Sequence, residues 1–365
     1  MGIVSLLLLL MVFESTGTST AQMVPAMFVF GDSLVDVGNN NYLEISLAKA
    51  NFPHNGIDFP SHRPTGRFSN GKNSADFLAE KLGLPSSPPY LSLVHNKSTN
   101  FLAGVSFASG GAGIFNGTAQ IFGQSIPMTK QIDYFAAVRE EMVEQLGETG
   151  AEKVLSTALF AVVIGSNDIL GHFSSDSNSS SGSGSGGATT TTAEQMVSSM
   201  IVTIEQQLKR IYDLGGRKYA MIGVGAVGCC PTQRARSQTM ECNAVANHWA
   251  TEYNRGLVLV LEQLSSELHG FVYSYFDTYT AFSNFIQNPS NYGFKEVKAA
   301  CCGLGTLKAQ VACLPISSYC SNRSDHVFWD LFHPTEAASR LFVGMAFDGS
   351  GQFASPVNLR QLIAA

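Results

Sequence analysis

Five short runs of apolar, β-branched or aromatic residues recur along the chain, each running into glycine or other turn formers: Met27–Phe30, Gly104–Phe107, Leu159–Ile164, Tyr219–Val224 and Phe271–Phe276. Continuous apolar runs of this length, without alternation, mark parallel strands buried on both faces. The stretches between them are long enough for crossover helices, and two show the helical period. From Glu194 to Leu214, Met196, Met200, Ile201, Ile204, Leu208 and Ile211 share one side, while Glu205, Lys209 and Arg210 lie off it. From His248 to Leu268 the stripe is Trp249, Tyr253, Leu257, Val260, Leu261 and Leu264. Strand, helix, strand repetition predicts an α/β chain with an open, mostly parallel sheet covered by helices on both faces. Residues 174–193, rich in Ser, Gly and Thr, hold no large apolar side chain and are expected to form a flexible loop within one domain, because a crossover helix follows directly.

The amino terminus breaks the pattern. Val4–Phe13 is nearly continuous in apolar residues but too short to span a bilayer, and small polar residues lead to Ala21. Ser-Thr-Ala before Gln22 suits a signal peptidase, although the leading residues lack the usual Lys or Arg. Residues 1–21 are therefore expected to be a secretory signal and 22–365 a single domain. Asn96, Asn116, Asn178 and Asn322 open Asn-x-Ser/Thr triplets and are glycosylation candidates in a secreted chain. All seven cysteines, Cys229, Cys230, Cys242, Cys301, Cys302, Cys313 and Cys320, fall in the last 140 residues. An odd number leaves at least one thiol unpaired within the chain. Disulfides are favoured over zinc, since no paired Cys-x-x-Cys occurs and no His sits at ligand spacing. Composition narrows the function further: 45% apolar residues exclude disorder throughout, and a net charge of -6 without a basic run disfavours nucleic acid.

In a parallel sheet the reactive crevice lies outside the carboxyl ends of the strands. Past the first run comes Gly31-Asp32-Ser33, where the serine is placed to attack a carbonyl and its N–H to face an oxyanion, although serine at this position also caps helices. Past the second comes Ala108-Ser109-Gly110-Gly111-Ala112-Gly113, whose glycines let an N–H approach a ligand or simply make a tight turn; no phosphate-loop lysine follows. Past the third comes Gly165-Ser166-Asn167-Asp168, where Asn167 offers a carboxamide donor or an ordinary Asx turn. Near the carboxyl end, Asp330 and His333 are spaced to share one face of a helical turn, so that the carboxylate orients the imidazole as in a catalytic triad, or the two form a helix-end salt bridge. His326, preceded by Asp325, is the competing histidine.

Taken together, Phe28–Asn41 with its Gly-Asp-Ser-Leu, the Ala-Ser-Gly-Gly-Ala-Gly-Ile of 108–114, Gly165–Asp168 and Phe328–Thr335 resemble, in order and spacing, the four blocks of the plant GDSL esterase/lipase family, a branch of the SGNH hydrolases. The likeness spans residues 26–345 and includes Arg63–Gly71, Gly228-Cys229 before Pro231, and Cys301-Cys302-Gly303. The resemblance implies a three-layer α/β/α sandwich of flavodoxin-like type with a five-stranded sheet. It implies Ser33 as nucleophile, His333 as base and Asp330 as orienting acid, with an oxyanion hole from Ser33, Gly110 and Asn167, where Gly111 is the one-residue alternative to Gly110. It also implies ester hydrolysis through an acyl-enzyme without metal or organic cofactor, on an ester substrate that the sequence leaves open among lipid, cutin-like, acetylated glycan and small-molecule esters. An acyltransferase with the same triad and a non-catalytic glycan-binding secreted protein are the alternatives. The apoplast or cell wall is the expected location, with the vacuole as the other possibility. Two features depart from the family: the long Ser/Gly/Thr stretch after Asn167, and Cys230 where an apolar residue is usual. Setting Cys230 aside leaves Cys229, Cys242, Cys301, Cys302, Cys313 and Cys320 for three bridges, with Cys229–Cys242 preferred and the rest undecided.

Overall fold

The computed structural model describes residues 21–98, 100–175 and 192–365. The expected signal apart from Ala21, the Asn178 triplet and most of the 174–193 loop lie outside the described residues. Four apolar runs form the parallel heart of the sheet: β1 (Met27–Gly31), β2 (Leu159–Val163), β3 (Lys218–Ile222) and β4 (Val272–Phe276). They pair in the order β1-β2-β3-β4, and the two-residue strand Ala354–Ser355 closes the far edge antiparallel to β4. Every residue of β1 and β2 is buried, as unbroken apolar runs require when both faces are covered.

The run at 104–107 differs from expectation. It is not a regular strand but an extended segment lying parallel to β1, joined by Val29 N–H to Val105 O (2.9 Å), Phe107 N–H to Val29 O (2.8 Å) and Ser109 N–H to Gly31 O (3.1 Å). The reason is Gly104, at φ +101 and pressed so closely on β1 that a Cβ would lie 2.0 Å from Met27 O. With this segment included, the first five extended segments in chain order stand in space as 2-1-3-4-5, the flavodoxin-like order. The chain reverses its direction of winding between β1 and β2, and a crevice opens outside their carboxyl ends.

Alternation along β1 divides the core. Phe28 and Phe30 join Phe160, Val162, Tyr219 and Met221 beneath the helices Met128–Leu146, Ala193–Asp213 and Ala244–Glu267. Met27 and Val29 join Leu159, Ala161 and Val163 beneath Ser74–Lys81, Thr278–Gln287 and Glu336–Asp348. This is the three-layer α/β/α sandwich. Both periodic segments are helices close to their expected bounds. Among the described residues no helix is long and apolar enough to cross a membrane.

Disulfides join Cys229 to Cys242, Cys301 to Cys320 and Cys302 to Cys313, and Cys230 is free and buried. The last two bridges pack with Trp329, whose indole N–H donates to Asn55 Oδ1 (2.9 Å), and so fix the chain just before Asp330.

Strand ends carry backbone groups without ladder partners, and buried carboxamides from the crossover helices take them up. Gln131 Oε1 accepts from Gly31 N–H (2.8 Å) and its Nε2 donates to Gly31 O (2.8 Å) and Ile126 O (2.7 Å). Past β3, Asn254 does the same for both backbone groups of Val224, at 2.8 Å each. Replacing Gln131 by Leu fills the volume but strands the Gly31 N–H and Ile126 O in a dry interior. Gln131→Leu is predicted to lower the unfolding free energy by roughly 2–4 kcal/mol in a denaturant titration. A change under about 0.5 kcal/mol would contradict this assignment.

Candidate active site

Asp32 N–H donates to Val163 O (3.1 Å), and Asp32 O accepts from Val35 N–H (3.3 Å) and Asp36 N–H (3.0 Å), so the chain turns sharply where β1 ends. Asp32 Oδ1 accepts from Leu34 N–H (3.0 Å). Ser33 sits at the tip of that turn, facing the crevice. Its N–H has no acceptor among the described residues.

Asp36, wholly buried, ties this loop to the next. Its Oδ1 accepts from the N–H groups of Gly38 (2.7 Å) and Asn39 (2.8 Å), and its Oδ2 from Gly110 N–H (3.0 Å). Two asparagines that follow reinforce the tie. Asn39 Nδ2 donates to Ser106 O and Ala108 O, each at 2.9 Å, and Asn40 Nδ2 donates to Gly110 O (2.9 Å). Gly110 is thus a correction to the expected oxyanion hole: its N–H is spent on Asp36 and it does not line the crevice. Its lack of a side chain serves packing, since a Cβ would lie 2.6 Å from the Phe68 ring and 2.8 Å from Asn40 Nδ2. Gly111, at φ +81, lines the crevice, and its N–H has no acceptor among the described residues. Asn167 lies in the first turn of the helix Ser166–Ser175 and also lines the crevice. One N–H of its carboxamide donates to Ala112 O (2.9 Å), which leaves the other available.

His333 and Asp330 come together, though not on a helix. They lie in a tight loop between the strand His326–Phe328 and the helix Glu336–Asp348. Trp329 N–H closes the loop onto His333 O (2.8 Å), and Asp330 Oδ1 accepts from the N–H groups of Phe332 and His333, each at 3.0 Å. Pro334 disfavours the helical backbone conformation at His333, and Thr335 caps the helix that starts after it. His333 Nδ1 lies 2.7 Å from Asp330 Oδ1 and 2.9 Å from Oδ2, and His333 Nε2 lies 2.7 Å from Ser33 Oγ. Phe68 packs against the imidazole with centroids 4.9 Å apart. The competing His326 does pair with Asp325 (2.8 Å), in an extended segment rather than on a helix, but it does not line the crevice.

The carboxylates here have unlike environments. Burial pushes Asp330 up, but the His333 charge, its hydrogen bond and the two N–H donors outweigh burial and hold the carboxyl below the usual range. Burial pushes Asp32 up to about 7, with Asp168 adding to the rise and the Leu34 N–H and His333 opposing it. Burial takes Asp36 to about 6 against the pull of its N–H donors. Burial likewise raises Asp168, which accepts from Ile114 N–H, Phe115 N–H and the Thr118 hydroxyl.

Around these groups opens a cavity of about 950 Å³, walled largely by apolar side chains such as Phe52, Phe115, Leu170, Val227, Phe282 and Phe342. Phe68, Asp36 as a hub, and Gln131 carried no independent signal in the sequence, because each acts through residues far away along the chain. Asn96, Asn116 and Asn322 are all exposed. Cys230 lines the crevice, and burial pushes its thiol up to about 12, with the Asp330 charge adding to the rise.

Known proteins resemble this chain over most of its length. Residues 27–343 match the family model described as GDSL-like lipase/acylhydrolase. A GDSL esterase/lipase of Arabidopsis thaliana is 46% identical over 349 residues, covering 93% of this chain and 90% of its own length. Another from the same plant is 39% identical over 361 residues, covering 98% and 96%. A solved GDSL-like lipase from Parabacteroides merdae aligns with a TM-score of 0.37 at 11% identity, over 90% of this chain and 96% of its own.

Asp32 yields a pH prediction whose sign follows from its raised value. Below about pH 4 the residue is protonated in both folded and unfolded chains and contributes nothing. As pH rises from 4 toward 7 and beyond, the unfolded chain releases the proton that the folded chain keeps, so wild-type stability falls by up to about 4 kcal/mol through this group. Asp32→Asn is predicted to gain on wild type over the same window, measured by denaturant titration at pH 4 and pH 8. A difference between the two proteins that does not vary with pH would contradict it.

Proposed function

The chain belongs to the GDSL-like lipase/acylhydrolase family, whose members named here are esterases and lipases, and from that premise we propose that it is a secreted serine esterase. As a member it is a hydrolase of ester bonds. In the proposed mechanism Ser33 Oγ attacks the ester carbonyl while His333 Nε2 takes its proton. Asp330, ionised at working pH, holds the ring by Nδ1 and stabilises the imidazolium. The tetrahedral oxyanion is met by the N–H of Ser33, the N–H of Gly111 in place of Gly110, and the free N–H of the Asn167 carboxamide. The imidazolium then protonates the leaving alcohol and the C–O bond breaks, leaving the acyl group on Ser33. A water molecule, deprotonated by His333, attacks that acyl-enzyme, and the carboxylic acid departs as Ser33 regains its proton.

The observation that carries this reading is the unbroken chain from Ser33 Oγ through His333 to Asp330 at 2.7 Å per link, beside two N–H groups that have no acceptor among the described residues. Secretion is supported by the apolar leader, the three disulfides and the exposure of Asn96, Asn116 and Asn322, which are the proposed glycan acceptors. Residues 22–365 are read as one hydrolase domain behind a leader of 1–21.

Two substitutions test the assignment with p-nitrophenyl butyrate. Ser33→Ala is predicted to lower turnover by about 10⁴-fold or more. Asn167→Ala is predicted to lower it by about 10² to 10³ with the circular dichroism unchanged. Turnover in Ser33→Ala within tenfold of wild type would overturn the nucleophile, and an unaffected Asn167→Ala would remove that donor from the oxyanion hole.

A further inference from the structure

The mouth of the crevice carries apolar side chains that stand exposed among the described residues. Two loops meet there: Leu47 N–H donates to Phe122 O (2.8 Å), Gln124 N–H to Ile45 O (2.7 Å), and Ile45 N–H to Gln124 Oε1 (3.0 Å). Gly123 permits the pairing, since a Cβ at that residue would lie 2.2 Å from Ile45 O. The paired loops point apolar groups outward: Ile45 is 70% exposed, Leu47 76% and Ile121 80%. A third loop, between Cys313 and Cys320, adds Ile316 at 80%. Leu47, Ile121, Phe122 and Leu314 also line the crevice, beside Lys49 and Gln120, so the outer patch runs on into the inner wall.

Charge is sparse and balanced in the same places: beside Ile45 and Leu47 stand Glu44 and Lys49, of opposite sign. Residues 114–127 and 309–322 contain no Asp, Glu, Lys, Arg or His, in a chain whose net charge is -6. An anionic surface therefore finds on these loops one lysine offset by one glutamate, whereas an uncharged surface asks for little desolvation of charge. Apolar side chains standing out on separate loops fit a soft, deformable phase, into which each tip sinks independently.

We propose that this collar docks the enzyme on the surface of an uncharged lipid phase, so that its substrates are acyl esters presented at a lipid–water interface. The statement about substrates rests on the esterase reading; the docking does not. On contact the collar leaves water, and the acyl chain passes from lipid into the crevice past Leu47, Ile121 and Phe122.

Ile45 and Ile316 lie on the collar but outside the crevice lining, which makes them the residues to change. Flotation with trioctanoin droplets is measured for Ser33→Ala protein, with and without Ile45→Glu and Ile316→Glu. Both are made in an Asn116→Gln background, to remove any sugar beside the collar. The Ser33→Ala protein is expected to float, and the added pair to weaken its partition at least about tenfold. In catalytically intact protein the same pair is expected to lower trioctanoin hydrolysis tenfold or more while p-nitrophenyl butyrate turnover stays within twofold. Failure of Ser33→Ala to float, or equal flotation with the pair, overturns the docking surface. Light scattering that shows a dimer dissociated by the pair assigns the collar to a second copy and overturns it as well. Absence of turnover on the soluble ester would instead strike the esterase reading, and flotation would still decide the collar.

Discussion

Where parallel strands stop, their last N–H and C=O groups lose ladder partners, and each one left unpaired in a dry interior costs about 1–3 kcal/mol. The architecture of this site follows from how those groups are taken up. Asp36 gathers three N–H groups from two loops, Asn39 and Asn40 collect carbonyls of the segment beside β1, and Gln131 holds both backbone groups of Gly31. Among the described residues the N–H groups of Ser33 and Gly111 stand without acceptors at the crevice wall. Donors fixed in advance need no reorganisation when charge develops on a substrate oxygen, which is the condition under which oxyanion stabilisation is strongest.

The same burial that makes unpaired groups expensive sorts the carboxylates. Asp330 sits against His333 and two N–H donors, which keep it ionised despite its burial. Asp32, next to Ser33, has neighbouring Asp168 and only weak help from backbone N–H groups, and burial takes it to about 7. Near neutrality much of it is protonated, and that fraction places no second negative charge beside the carbonyl to be attacked. Identical chemical groups thus support or spare the reaction according to their surroundings.

Much of this was legible in the sequence because it is local. The apolar runs at 27–30, 159–164, 219–224 and 271–276 read directly as buried parallel strands, and the stripes from Met196 and Trp249 read as helices. Ser33, Asp330 and His333 were candidates by residue type and spacing, each with a structural alternative, and only the family resemblance assigned them roles. What escaped depends on contacts between distant segments. The run at 104–107 looked like any other strand, but the close approach of Gly104 to Met27 loosens it into an extended segment. Of two adjacent glycines, only the structure tells which spends its N–H on Asp36. Asp330 and His333 were expected on a helical turn, yet the proline after His333 and the cap at Thr335 make the pair a side-chain-stapled loop.

The central claim is that the loops after β1, after the 104–107 segment, after β2 and before the helix Glu336–Asp348 converge on one tetrahedral centre. A crystal structure of the protein after reaction with a fluorophosphonate tests it most directly, because the bound phosphorus mimics that centre. The account predicts a covalent bond to Ser33 Oγ, with one phosphoryl oxygen about 3 Å from Ser33 N, Gly111 N and Asn167 Nδ2. A phosphoryl oxygen turned away from these donors, or an adduct on another residue, would contradict it.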